Sequence, residues 1–375
     1  MTKIGCPIRV SALFFLFFSV LSGHANSAVT QRPLHIWFDT PCTLKGKAVW
    51  YGGRPEMWKG ENKPESAGDT AKNPDEEWES ASLPIGNGSL GANILGSIAA
   101  ERITLNEKSL WRGGPGVSSD ASYYWNVNKH AAPVLKAIRA AFLAGDKAKA
   151  DSLTRKNFNG LAAYESYAEK PFRFGNFTTM GELTIETGLN DAQISGYRRE
   201  LSLDSARTLV QFVHDGVRYA RTAFISYPDN VMVLRFKANA KGMQNLCFRY
   251  APNPVSTGKM QADGANGLVY RGALDSNGMQ YVVRIQAVTH GGTLENSGQT
   301  LTIKGADEVV FLITADTDYR INFNPDFHNP KTYVGVQPEV TTEKWMQQAV
   351  ERGYAQLFQR HFKDYSPLFQ RVKLQ

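Results

Sequence analysis

The chain has 375 residues, 42% of them apolar and 21% charged, and a formal net charge of +7. That length exceeds one ordinary compact core, although all-β domains of 200–250 residues are routine, and it suggests one large domain with something smaller attached. The basic residues are scattered rather than gathered into runs, which argues against nucleic-acid or polybasic membrane binding.

The N-terminus reads as a signal peptide over residues 1–25. Lys3 and Arg9 precede or open the apolar run "VSALFFLFFSVL", and Gly23, Ala25 and Ala28 supply small residues for cleavage. The run is short for a membrane span, so the expected location is secreted or periplasmic, with no membrane attachment after cleavage. Cleavage removes two basic and no acidic residues, leaving a net charge of +5. Cys6 lies too early for a lipid anchor. Cys42 and Cys247 remain, and in an exported protein they read equally as one disulfide or as two thiols.

A β domain is expected over 31–325. Residues 34–53 read as short strands, and 54–78 as an exposed polar loop rich in Pro and Gly. The stretch "LPIGNGSLGANILGS" (83–97) holds the spacing Gly86-x-Gly88-x-x-Gly91. A dinucleotide loop would need a buried apolar strand before it and a helix after it. Here "DEEWESASLP" precedes it, Gly96 would interrupt the helix, and "RITLNEKSLW" alternates as a strand does. The glycines therefore predict a sharp bend between two closely packed strands.

Residues 129–158 predict a small helical excursion. Leu135, Ile138 and Phe142 share a face, Gly145 ends the first helix, and "DKAKADSLTRKNF" forms a second. From 180 to 315 the period is two. Asp215-Gly216 and Asn277-Gly278 mark hairpin turns, and strands recur about every ten residues, which indicates a large antiparallel β-sandwich. Residues 340–375 predict a helical linker, with Met346, Val350, Leu357 and Phe358 on one face.

The segment "WESASLPIGNGSLGANILGSIAAERITLNEKSLWRGGPG" is similar to the N-terminal signature of glycoside hydrolase family 95, the α-L-fucosidases. Three further segments resemble that family in the same order: "VLKAIRAAFLAGDKAKADSL", "MGELTIE" with the strands from Tyr197 to Ala238, and "HFKDYSPLFQRVKL". The resemblance covers nearly all of 34–374. Residues 42–76 depart from it as an insertion, and Ser89 stands where a basic residue is expected. It implies a supersandwich-like fold and, in the intact enzyme, hydrolysis of terminal α-L-fucosyl linkages without a cofactor. It also implies a catalytic (α/α)6 barrel beyond this chain as partner domain and fucosylated glycan as substrate. The family's catalytic residues have no matching positions here, so none are assigned.

The candidate cleft residues are Asn106, Glu107, Trp111 and Arg112. Sugars stack their C–H faces on aromatic rings while their hydroxyls bridge to amides and carboxylates. The alternative is that Trp111 fills the core and Glu107 pairs locally. Glu101, Glu107, Glu182, Asp204 and Asp229 are the carboxylates weighed for acid–base work, and each reads more readily as a turn residue or a partner of Arg198, Arg199 or Arg221. Six of the seven tryptophans lie between 37 and 125 (Trp37, Trp50, Trp58, Trp78, Trp111 and Trp125), which a β core and a domain interface would explain. No Cys/His spacing suggests zinc, "DTD" (316–318) lacks the other ligands of a calcium loop, and there is no serine-hydrolase elbow. Two rival readings remain. One is a free-standing carbohydrate-binding or scaffold module using Trp111, Tyr123, Tyr124 or Trp125. The other is an epimerase-like enzyme using Glu107 and His290.

Overall fold

The computed structural model describes residues 34–42, 81–113, 130–158, 176–275, 277–326 and 329–372. Residues 1–25, read above as a signal peptide, residues 54–78, read as a polar loop, and Tyr123–Trp125 lie outside the described residues. Strands are numbered in chain order. A nine-stranded sheet runs β1 (His35–Phe38), β8 (Ile194–Ser202), β9 (Arg207–His214), β10 (Val217–Ser226), β11 (Val231–Ala238), β18 (Glu308–Thr317), β15 (Gln280–His290), β14 (Gly267–Leu274) and β13 (Ser256–Ala262). A seven-stranded sheet runs β16 (Thr293–Asn296), β17 (Thr300–Ala306), β12 (Gln244–Pro252), β7 (Gly181–Glu186), β4 (Ala100–Glu107), β3 (Leu90–Ile94) and β2 (Leu83–Gly86). β5 (Trp111–Arg112) and β6 (Asn176–Phe177) form a small separate pair. The chain is mainly β, with both large sheets antiparallel.

Alternation builds the space between the sheets. In β12, Leu246, Phe248 and Tyr250 point inward while Cys247 and Arg249 do not. Phe248 meets Phe311 of the facing sheet with ring centroids 4.6 Å apart. Hairpin chemistry sets the register. Asp215 and Gly216 both take positive φ (48° and 75°), as a two-residue turn between β9 and β10 requires. The Gly86–Gly91 stretch is likewise a hairpin. Gly86 pairs with Gly91, Gly88 takes φ 87°, and a Cβ at Gly86 would sit 3.2 Å from the Leu90 carbonyl oxygen. Gly96 (φ 76°) lets the chain pass against Tyr197, whose hydroxyl would meet an added Cβ at 2.7 Å.

Strands β11 and β18 do not alternate, because both faces of the nine-stranded sheet are covered at its centre. The second cover is the long helix α3 (Pro338–Phe369), which packs Met346, Ala349 and Leu357 on Phe224, Val231, Val233, Val310 and Leu312. Gly353 (φ 67°, ψ 170°) breaks that helix. Met346 and Leu357 are buried and Phe358 packs beside them, but Val350, which lies before the break, is exposed, because the buried face of the first half runs through Thr342, Met346 and Ala349. A single uninterrupted face through Met346, Val350, Leu357 and Phe358 is thus corrected. Two arginines flanking the break close on one carboxylate. Arg352 and Arg360 reach Asp229 Oδ1 at 3.3 and 2.8 Å, while Asp229 Oδ2 accepts from Ser226 at 2.7 Å.

The helical excursion is α1 (Val134–Leu143) and α2 (Lys147–Phe158), joined through Gly145 at φ 76°. Cys42 is buried and Cys247 half-buried, and both are free thiols. Among the described residues, no helix is long and apolar enough to cross a membrane.

Candidate functional site

One end of the sandwich holds a pocket of about 210 Å³, lined by Asn87, Ser89, Glu107, Lys108, Ser109, Asn230, Asp316, Tyr319 and Trp345, among others. Five separate parts of the chain converge there: the β2–β3 turn, the end of β4 with the turn after it, the β10–β11 turn, the end of β18 with Tyr319 beyond it, and the first half of α3. Each part is fixed by its own hydrogen bonds. Asn87 closes its turn by accepting from Ser89 N (3.0 Å) and Leu90 N (2.8 Å). Its amide donates across to Ser226 O (3.1 Å) and Asn230 Oδ1 (3.4 Å), which ties the β2–β3 turn to the β10–β11 turn. Ser109 Oγ lies 2.6 Å from Thr317 Oγ1, linking the two sheets.

Glu107 is the deepest acid of the pocket, with 4% of its surface exposed. It ends β4 on the inward parity of Ile103 and Leu105, so the strand carries it towards the core. Glu107 Oε2 accepts from Ser109 N at 2.8 Å and from Ser109 Oγ. Oε1 has no hydrogen-bond partner among the described residues. Burial pushes the Glu107 carboxyl above its ordinary value, and the negative charge of Asp316 adds to the rise. Asp316 is also raised by burial, although Thr341 Oγ1 donates to its Oδ2 at 2.7 Å and opposes the shift. Two carboxyls that both resist ionisation therefore sit in one pocket, one from each sheet. Burial makes each of them hold its proton more firmly than an exposed carboxyl does.

The four cleft candidates are not brought together. Asn106 follows the opposite parity of β4 from Glu107, so the two residues face opposite sides of the sheet. Arg112 is buried and bonds Asp275 at 3.0 and 3.1 Å. Trp111 is 44% exposed, donates its indole N–H to Lys108 O at 2.9 Å and stands edge-on to Phe177. Only Glu107 lines the pocket. His290 is equally remote from it. Ser109 touches Thr317, which pairs with Tyr281 at one end of β15, whereas His290 ends that strand nine residues on, about 30 Å away.

The other weighed carboxylates have structural partners. Glu101 is fully buried, accepts from Gly96 N at 2.8 Å and pairs with Arg221 at 3.3 Å; burial raises it and Arg221 opposes the rise. Glu182 pairs with Arg102 through two bonds of 2.8 and 2.9 Å. Asp204 accepts from Leu34 N, and Asp229 holds α3. The site members that sequence reasoning misses as such are Asp316, Tyr319 and Trp345. In the sequence Asp316 stands in a "DTD" stretch too sparse for a calcium loop, and Trp345 in the helical linker carries no signal of a site. No motif joins residues 107, 316 and 345. Only the strand order does so. Among the described residues, no group of three or more His, Cys, Asp or Glu is placed to hold a metal ion.

Known proteins are similar to this chain in sequence. The family described as "Glycosyl hydrolase family 65, N-terminal domain" matches residues 70–322. A "Probable alpha-fucosidase A" of Aspergillus niger is 31% identical over 303 residues, covering 78% of this chain and 35% of that protein. An "Alpha-L-fucosidase 2" of Arabidopsis thaliana is 26% identical, covering 80% of this chain and 36% of that protein. A "Probable alpha-fucosidase A" of Aspergillus oryzae is 22% identical, covering 76% and 38%. The chain thus spans little more than a third of the length of these relatives. It belongs to the glycosyl hydrolase family 65 N-terminal domain family, and within it is α-L-fucosidase-like.

Proposed function

We propose that this chain is the N-terminal β domain of an exported glycoside hydrolase that removes terminal α-L-fucosyl residues from glycans. In this reading the catalytic groups lie in a helical barrel outside these 375 residues, and the β domain shapes and steadies that barrel. The observation that carries it is one of proportion: similarity to proteins named as fucosidases spans 76–80% of this chain but 35–38% of theirs. The carboxylates support the same division of labour. Glycoside hydrolysis uses two facing carboxyls, one to protonate the leaving oxygen and one to activate water or attack the sugar. Of the five weighed here, Glu101, Glu182, Asp204 and Asp229 are held in ion pairs or by a backbone N–H. The resemblance implies an inverting course with no cofactor. Export rests on the signal-like residues 1–25.

The test is to read the gene beyond the Gln375 codon and assay its full product for fucose release. A helix-rich continuation and release of L-fucose are expected. A stop codon with no such continuation would overturn the reading and leave a free-standing module.

A further inference from the structure

We propose that the pocket between Glu107 and Trp345 binds a single neutral pyranose, so that this chain holds a sugar site of its own. The pocket lies wholly within this chain, so the site stands whether or not the fucosidase reading does.

Size limits the ligand first. About 210 Å³ is below the ~300–1,000 Å³ usual for drug-sized ligands. One ring fits such a space, and a longer saccharide would have to extend into solvent. The walls come next. Trp345 and Tyr319 both line the pocket and are half-buried, and Tyr319 is braced by Tyr333, with ring centroids 5.6 Å apart. The indole N–H of Trp345 and the hydroxyl of Tyr319 make no hydrogen bond among the described residues. Pyranoses carry an apolar C–H face and a rim of hydroxyls, and an aromatic ring with a spare polar edge meets both.

The polar inventory points the same way. Glu107 is only 4% exposed, and its Oε1 is an acceptor that stays open to the pocket without a donor among the described residues. Asn230 accepts from Asn87, but its own amide N–H groups have no partner among the described residues. Donors and an acceptor are therefore spare together. The framework holding them is fixed by bonds from Asn87, Thr341 and Ser109, so little ordering is needed on binding.

Charge removes the rivals. Glu107 and Asp316 against the single Lys108 disfavour anionic ligands such as phosphates or uronic acids. Two acids without a third ligating side chain do not make a metal site. An ammonium ligand is the remaining competitor, but it would leave the aromatic walls and the spare Asn230 donor without a role. A neutral polyol ring uses every feature.

The experiment is saturation-transfer NMR and calorimetry on the full chain with free L-fucose, D-galactose and D-glucosamine. Saturable binding of L-fucose or D-galactose with Kd on the order of 1–10 mM is expected. Trp345→Ala and Glu107→Gln should each weaken it about tenfold or more, Trp345→Phe should restore part of it, and Trp111→Ala should leave it unchanged. Circular dichroism and thermal melts report whether each variant is folded. Absence of binding at about 100 mM sugar would overturn the proposal. So would loss of binding in Trp111→Ala with retention in Trp345→Ala. Tighter binding of glucosamine than of the neutral sugars would make the pocket an ammonium site instead.

Discussion

Glu107 and Glu101 show how one residue type takes two roles within a single strand. Both sit on β4, and burial raises both carboxyls. Glu101 answers burial with a guanidinium and two backbone N–H groups, so its charge is held by the fold. Glu107 has only Ser109, and one of its oxygens remains open to the pocket. That difference gives a pH signature. A carboxyl whose folded value lies above its unfolded one binds more protons folded than unfolded. Its contribution to stability is complete below the unfolded value, 4.5 for glutamate, and is lost as pH rises through the folded value. Glu107→Gln removes that loss. The variant's melting temperature should gain on the parent's as pH rises from about 4 to about 7, as differential scanning calorimetry at several pH values would read. A constant difference across that range would mean that Glu107 titrates normally. Together with weaker sugar binding, a more stable Gln variant would mark Glu107 as a residue kept for its ligand at a cost in stability.

At the scale of elements, α3 carries the least expected feature. Its break at Gly353 lets Arg352 and Arg360 close on Asp229 from either side and turns Tyr354, Phe358 and His361 towards Phe224. With φ 67° and ψ 170°, Gly353 occupies a region that residues with a Cβ scarcely enter. Gly353→Ala should cost about 1–3 kcal/mol. Hydrogen exchange should quicken over 354–369 more than over 338–352, because the second half relies on the break to dock. Equal protection in both variants would place the docking energy elsewhere. Much at this scale was legible in the sequence. Asp215-Gly216 announced its hairpin, Gly145 ended its helix, and Gly86 to Gly91 read as a bend. The double cover of β11 and β18 was not, although "VMVL" and "VVFLITA" are continuous apolar runs where alternation should stand. A strand buried on both faces reads that way, and only the partner helix shows why. The break in α3 escaped for a related reason. A glycine inside an amphipathic pattern is tolerated in many helices, and sequence alone does not give its φ.

For the whole molecule, fold class was legible because turn residues and two-fold periodicity are local signals. The candidate site was legible only at Glu107. Its other members come from residues 87 to 345 and meet through a strand order in which β18 sits between β11 and β15, which no local pattern encodes. The same order explains why Asn106, Trp111 and Arg112, close in sequence to Glu107, lie elsewhere: alternation and the turn after β4 send each to a different surface. The molecule is a β-sandwich stiffened by a docked helix, with a polar, aromatic pocket at one end. The most direct test is to incubate purified residues 26–375 with p-nitrophenyl α-L-fucoside and monitor release of the phenol. No turnover above the uncatalysed rate is expected. Saturable hydrolysis abolished by Glu107→Gln would contradict that division of labour and make the pocket an active site.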